Sequence, residues 1–263
     1  MTSTGIRTDR PKRISAAIIA MNEEDRIVSL LDSLNFVDEI VVVDSGSTDN
    51  TVKICERYGA NVILHEWMGY VLQKQFAMDR TSGEWILCLD ADEAVSVELR
   101  SEITEALNNV DDKVVAFSIP RLSRYLGKWI YHGGWYPDRK VRLVRRGKAS
   151  WVGDSIHEKL EPVGITVQLS NPILHYVYRD ISDQVKTINA FSSVVASGAV
   201  KSCTWVYVLL GVFHSIGKFL ECAIWKKGLL DGVPGLIIAI NSSFYVFLKH
   251  AKIWERKSGF TVQ

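Results

Sequence analysis

Two aspartates one residue apart, Asp90 and Asp92, follow the apolar run Trp85–Leu89. Carboxylates at that spacing on a turn can share a hard cation such as Mg2+ or Mn2+. A divalent ion there would neutralise a diphosphate and stabilise it as a leaving group. An isolated Asp-x-Asp is more often an acidic surface turn before a helix. Its place at a strand end, beside other polar strand ends, favours ligand chemistry. Asp44 ends a second apolar run, Glu39–Val43, and leads into Ser45-Gly46-Ser47-Thr48-Asp49. An Asp so placed can accept from a base N–H or a ribose hydroxyl, and Gly46 lets a ligand approach the backbone. An ordinary strand-to-helix turn with Ser47 as cap is compatible with that role. Arg139, Arg142, Arg145 and Arg146 form a basic cluster behind a glycine loop. Arginine matches phosphate bidentately, so at least one can meet a diphosphate or an anionic acceptor. Strand alternation sends Arg142 and Arg145 to opposite faces. Trp129, Trp135 and Tyr136 offer a platform for sugar rings or simply pack the loop.

The elements that must position these residues are legible in the first hundred positions. Strands are expected over Ile14–Ala20, Glu39–Val43, Asn61–Leu64 and Trp85–Leu89. Between them lie helical patterns at Ile27–Leu34, from Ser47 toward Arg57, over Val71–Arg80, and after Ser96. Repeated β-α crossovers imply a mostly parallel sheet with helices on both faces. Ligands of such sheets bind at the carboxyl ends of the strands. Met21-Asn22-Glu23, Asp44 to Ser47 and Asp90 to Glu93 therefore converge on one edge. No G-x-G-x-x-G follows the first strand, which disfavours a dinucleotide fold. After Val114 the pattern becomes a mixed or antiparallel extension, with strands at Val114–Pro120, Lys140–Val144, Ser150–Val152 and Ile165–Leu169.

Composition sets the class. The 263 residues carry a formal net charge of +1, which gives no ground for a nucleic-acid partner. Cys55, Cys88, Cys203 and Cys222 form no Cys-x-x-Cys pair and read as buried thiols in a reducing compartment. Residues 1–13 read as a disordered lead. The apolar run after Lys12 and Arg13 is read as a first strand and not as a signal peptide, because no small-residue cleavage site follows it. Beyond Asp183 the chain reads as helical. Residues 201–257 hold eight Lys or Arg against three Asp or Glu. Two apolar stretches there, Thr204–Leu220 and Val233–Leu248, are short for spanning helices and carry internal polar groups. That composition suits helices lying in the interface of an anionic membrane.

The string VVVDSGSTDNT, the Lys74-Gln75 helix and WILCLDADE resemble family 2 glycosyltransferases of the GT-A (nucleotide-diphospho-sugar transferase) fold, over roughly the first 180 residues. HGGWYPDRKVRLVRR, DSIHEKL and the tail GLLDGVPGLIIAINSSFYVFLKHAKIWE are similar to the bacterial branch that adds β-linked glucose to the lipopolysaccharide core. The resemblance implies a Rossmann-like mixed α/β catalytic domain over 14–183 and a helical, membrane-associated region over 184–263. Asn22, Glu23 and Asp44 would hold uridine, with Ser47 or Asp49 nearby. Lys74 would lie near the nucleotide or its phosphates, and Arg142 is the phosphate-binding candidate of the basic cluster. Asp90 would contact ribose or metal, and Asp92 would be the principal ligand of Mg2+ or Mn2+. His175 is the candidate for a later metal ligand, with His157 as its rival. Inversion needs one carboxylate base; Glu158 is favoured and Asp138 is the alternative. The implied reaction moves a hexose, glucose from UDP-glucose, to a lipid-linked saccharide at the cytoplasmic face of the bacterial inner membrane. The alternatives are a polyprenyl-phosphate acceptor, or a membrane-binding module that kept the fold without catalysis.

Overall fold

The computed structural model describes residues 13–153, 157–198 and 205–258. The expected disordered lead, residues 1–13, lies outside them but for Arg13, as does Cys203. The chain divides into two compact units. One runs through Pro120 and adds Arg139–Ile173; the other joins Arg121–Asp138 to the chain from Leu174. The division does not follow the expected boundary at 183/184. Arg121–Asp138 folds with the C-terminal chain because its polar and apolar groups are satisfied there: Ile130 packs on Ile238, and His132 bonds Asp231.

The first unit starts β1 (Ile14–Ala20), α1 (Ile27–Ser33), β2 (Glu39–Asp44), α2 (Thr51–Arg57) and β3 (Asn61–Leu64). It continues α3 (Tyr70–Asp79), β4 (Trp85–Asp90), β5 (Glu93–Val95), α4 (Val97–Asn108) and β6 (Val114–Tyr125), the last crossing into the second unit. After β7 (Lys128–Ile130) of the second unit come β8 (Asp138–Arg145), β9 (Ala149–Val152), β10 (Lys159–Pro162), β11 (Ile165–Gln168) and β12 (Ile173–His175). The sheet order is β3-β2-β1-β4-β8-β6. β1 pairs in parallel with β2 and β4, β2 pairs in parallel with β3, and β4 pairs antiparallel with β8. This is the expected mixed sheet. The four strands of its parallel half carry the residue ranges expected from sequence, two of them one residue longer. β5, β7 and β10 were not anticipated, being three or four residues long and without alternation of their own.

Period-two alternation explains the two cores. Ile14, Ala16, Ile18 and Ala20 of β1 face one layer with Leu30 and Leu31 of α1 and Leu99 and Ile103 of α4. Ala17 faces the other with Ala77 and Met78 of α3. Both sides of the sheet are covered, so β2 needs no polar face, and Val41, Val42 and Val43 are fully buried. α4 starts as expected: the Ser96 hydroxyl accepts the Leu99 N–H at 3.1 Å. α2 does not. Ser47 is no cap, because Asp44 takes both its N–H and its hydroxyl. The helix instead starts at Thr51, whose N–H is accepted by Asp49 at 2.9 Å. Cys55, Cys88 and Cys222 are buried free thiols; burial pushes Cys88 up to about 12, above any reactive range.

The second unit holds β7, which pairs antiparallel with Ser123–Tyr125 of β6, and three helices. α5 (Ile181–Ser197) is capped by Asp180, whose side chain accepts the Asp183 N–H at 2.7 Å. α6 (Trp205–Leu220) runs on through a π-helical turn, Glu221–Trp225. A 3-10 turn, Gly228–Asp231, leads to α7 (Val233–Lys257). Both apolar stretches extend beyond their expected ends, to Trp225 and to Lys257.

Candidate active site

Strand register assembles the site. Ala20 pairs with Asp44 on one side of β1, and Ile19 pairs with Asp90 on the other. Adjacent strands lie about 4.8 Å apart, so two aspartates 46 positions apart in sequence end at one level of the sheet edge.

The loops after β1 and β2 bond one another. Asp44 is fully buried, and its carboxylate accepts the N–H groups of Gly46 (3.0 Å) and Ser47 (2.8 Å) and the Ser47 hydroxyl. Gly46 sits at φ 96°, a conformation few side chains allow. The Asn22 N–H donates to the Ser47 hydroxyl at 2.8 Å, and Asn22 Oδ1 accepts the Thr48 N–H at 2.8 Å. The Glu24 N–H donates to Asp49 at 3.2 Å. Asn22, Asp44, Ser47 and Asp49 thus belong to one rigid pair of loops. Asp44 spends its carboxylate on shaping that pair. Glu23 takes a forked contact from Arg26, with both bonds at 2.7 Å, and Arg26 lies 3.6 Å from Asp92.

The centre is an ion-pair chain. Lys74 Nζ sits 2.7 Å from Asp90 Oδ1 and 2.9 Å from Glu158 Oε1. Arg142 Nη2 sits 2.7 Å from Asp90 Oδ2 and 2.8 Å from Glu93 Oε1. Each oxygen of Asp90 therefore faces its own cation. Glu93 also accepts the Asp90 N–H at 3.1 Å, closing the turn. Trp151 forms a wall, its ring 4.8 Å from Lys74 Nζ and 6.0 Å from the Arg142 guanidinium. Burial opposes the charge on Lys74, but Asp90 and Glu158 outweigh both it and the nearby Arg142, holding the ammonium above the usual lysine range. Burial likewise opposes Arg142, and Glu93 with Asp90 outweighs it. The space among Lys74, Asp90, Arg142 and Trp151 is about 10 Å³, too small for more than one water. In this arrangement both cations are turned to carboxylates, Lys74 to Asp90 and Glu158 and Arg142 to Asp90 and Glu93.

Opposite faces separate the arginines as expected: Arg142 lies by Trp151, whereas Arg145 lies over Trp85, 5.1 Å from its ring, in the other core. Arg139 donates to the Leu169 carbonyl at 2.8 Å. Asp138 belongs to the second unit and pairs with Arg121 at 2.6 Å. His175 also belongs to that unit, with Nδ1 3.0 Å from the Ser123 hydroxyl. His157 is exposed just before β10. Trp135 packs against Tyr125 and Tyr178, filling the loop's own core. Sequence reasoning placed Glu93 on the edge without a role and passed over Trp151 and Arg26. Glu93 stood in the acidic run after β4 and Arg26 three residues after Glu23; Trp151 carried no local signal.

Among the described residues no three His, Cys, Asp or Glu side chains gather as a metal cage. Mg2+ is commonly held by one or two carboxylates plus substrate phosphates, with waters completing the shell. Asp92, part-exposed and 3.6 Å from Arg26, fits the carboxylate of such a partial set, whereas both oxygens of Asp90 are held by Lys74 and Arg142.

A mixed sheet with carboxylates gathered at the carboxyl ends of parallel strands is the GT-A plan. Residues 15–158 match the model of glycosyl transferase family 2, and the chain belongs to that family; it is a glycosyltransferase. It is similar to the lipopolysaccharide core biosynthesis glycosyltransferase LpsC of Rhizobium meliloti, at 30% identity over 92% of each chain. An uncharacterised glycosyltransferase of Rickettsia typhi is 32% identical over 93% of this chain and 87% of its own. Among solved structures, glucosyl-3-phosphoglycerate synthase of Mycobacterium tuberculosis, crystallised with Mn2+, UDP and glucosyl-3-phosphoglycerate, is 27% identical over 43% of this chain and 44% of its own, with a TM-score of 0.36.

Proposed function

We propose that this glycosyltransferase inverts the anomeric centre of a hexose, glucose from UDP-glucose, onto a lipid-linked saccharide such as the lipopolysaccharide inner core. The observation that carries the reading is Lys74. One ammonium joins Asp90, at the end of β4, to Glu158, 84 positions away from Lys74. A donor-side carboxylate and a candidate base are thereby held on one group. The name of the Rhizobium relative supports the acceptor class.

In this reading the loops of Asn22, Glu23, Asp44, Ser47 and Asp49 receive the nucleoside. Lys74 and Arg142 anchor both oxygens of Asp90, so its carboxylate meets ribose without reorganising. Asp92, with Asp90 as a further candidate, would hold Mg2+ or Mn2+, which supplies charge neutralisation to the leaving diphosphate. Glu158 takes the proton of the acceptor hydroxyl as it attacks, and inversion needs no covalent intermediate. Asp138 is the second candidate for that proton. The basic, apolar C-terminal helices support a peripheral seat on an anionic membrane at the cytoplasmic face of the bacterial inner membrane.

The test is transfer from a panel of UDP-, GDP- and ADP-sugars, with Mg2+, with Mn2+ and with chelator. UDP-glucose with a divalent ion is expected to lead. Activity that survives chelation, or an Asp92→Ala variant that transfers normally, would refute the metal site; a better non-glucose donor would refute the sugar.

A further inference from the structure

α6 inverts the usual amphipathic arrangement. A helix on a water-soluble protein turns its apolar face inward and its polar face out. At about 100° per residue, Trp205, Leu209, Phe213, Ile216 and Leu220 fall on one arc of α6. All five are exposed, Trp205 and Phe213 at 68% each. The opposite arc carries Gly211 and Ser215, which are buried. Small and polar groups face α7: a Cβ on Gly211 would meet His250, and Ser243 donates to the Ser215 carbonyl at 2.8 Å. The apolar exposure continues around the turn through Ile224, Trp225, Leu229, Leu230 and Val233, with Trp225 86% exposed.

Length alone would let these helices cross a membrane. Trp205–Trp225 and Val233–Lys257 have 21 and 25 residues, and 21 residues reach about 30 Å, the thickness of the hydrocarbon core. The contacts of α7 decide against it. Just before its start, Asp231 bonds the His132 N–H (2.8 Å) and His132 Nδ1 (2.9 Å), while Lys128 reaches the Asp231 carbonyl. At its middle, Asn241 bonds Gln184 of α5, and Ile238 packs with Tyr125 and Ile130. Near its end, Lys252 donates to the Asn189 carbonyl (2.6 Å), Ser192 (2.9 Å) and Ser193 (2.7 Å) of α5. A crossing α7 would carry α5 and β7 with it, and with them the charged groups of Lys128, Asp183 and Lys186, which a bilayer interior disfavours. α6 lies antiparallel along α7, since Tyr207 and His214 meet His250 whereas Ser215 meets Ser243.

Resting on the membrane seat proposed above, we infer that neither helix crosses: α6 and the Trp225–Val233 turn lie in the plane of an anionic bilayer, with the Trp205–Phe213–Leu220 arc buried among the acyl chains. The occupant follows from charge as well as from apolarity. Over residues 205–258 seven Lys or Arg stand against three Asp or Glu. Exposed Lys226 and Lys227 adjoin the apolar turn, where an anionic headgroup would meet them.

The experiment is flotation of the full chain with sealed phosphatidylcholine vesicles, with and without phosphatidylglycerol. Binding is expected to require the anionic lipid. Leu209→Glu with Phe213→Glu is expected to lower partitioning by about a hundredfold or more, and Trp225→Ala by several fold. Hydrolysis of UDP-glucose retained by each variant shows that it is folded, and also tests the catalytic reading apart from the membrane one. A Lys227→Cys chain, compared with the parent for background, is expected to react with an impermeant maleimide added outside sealed vesicles. Labelling only after vesicle lysis would overturn the in-plane seat. So would undiminished flotation of both the double variant and Trp225→Ala, or a dimer that these variants break without any change in vesicle binding.

Discussion

Arg142→Met tests the central ion-pair chain most directly. Arg142 is buried, and its Nη2 bridges Asp90 and Glu93. Methionine keeps much of the volume and removes the charge. Asp90 retains Lys74 at 2.7 Å, so the loss falls on Glu93, whose side chain is fully buried. At 2.8 Å and an effective dielectric of about 20, the Arg142–Glu93 attraction is about 6 kcal/mol. The desolvation of the guanidinium, no longer required, offsets part of it. Breaking one side of a buried pair costs about 3 to 5 kcal/mol. Adding Glu93→Gln removes the stranded charge, and its amide oxygen can still accept the Asp90 N–H. The double variant should therefore cost about 1 to 2 kcal/mol, less than Arg142→Met alone, so the coupling is at least about 2 kcal/mol. Urea denaturation followed by tryptophan fluorescence, compared at equal m-values, measures all three chains. A cost below about 1 kcal/mol for Arg142→Met, or a double variant that costs the sum of the singles, would refute the reasoning.

Two further predictions concern carboxylates. Glu158→Gln should lower the transfer rate by about 10² to 10⁴ while leaving UDP affinity little changed, measured by steady-state transfer and by calorimetry; retained transfer would move the base to Asp138. Glu39 bonds the Ser15 hydroxyl and the Ser82 N–H and hydroxyl. Partial burial raises its pKa, but those hydrogen bonds outweigh it and the net direction is down. A depressed carboxyl contributes stability above its unfolded value of 4.5 that is lost as pH falls through the folded value. Glu39→Gln should thus lower the melting temperature at neutral pH and flatten its fall below pH 4.5; an unchanged acid limb would show that Glu39 does not drive it.

The parallel half of the sheet was legible in the sequence because its strands are apolar runs bounded by polar turns, each buried on both faces. Asp44 and Asp90 were legible for the same reason, since a carboxylate that ends such a run must sit at the sheet's carboxyl edge. The acidic tail of WILCLDADE and the basic bias of the last sixty residues also showed in local pattern. Other decisive features did not. Lys74 meeting Glu158 and Arg142 meeting Asp90 are contacts across 84 and 52 positions, which no local periodicity encodes. Trp151 walls the site only because β9 packs on α3, where the Trp151 backbone N–H donates to Gln75 Oε1 at 2.9 Å. Ser47 reads as a helix cap until Asp44, held by strand register, competes for it. The two apolar tail segments read as suited to a membrane interface, but which face of each meets protein was not legible. The contacts along α7 and the outward turn of the apolar arc of α6 supply that, because amphipathicity fixes which residues share a face and packing alone decides which face meets protein.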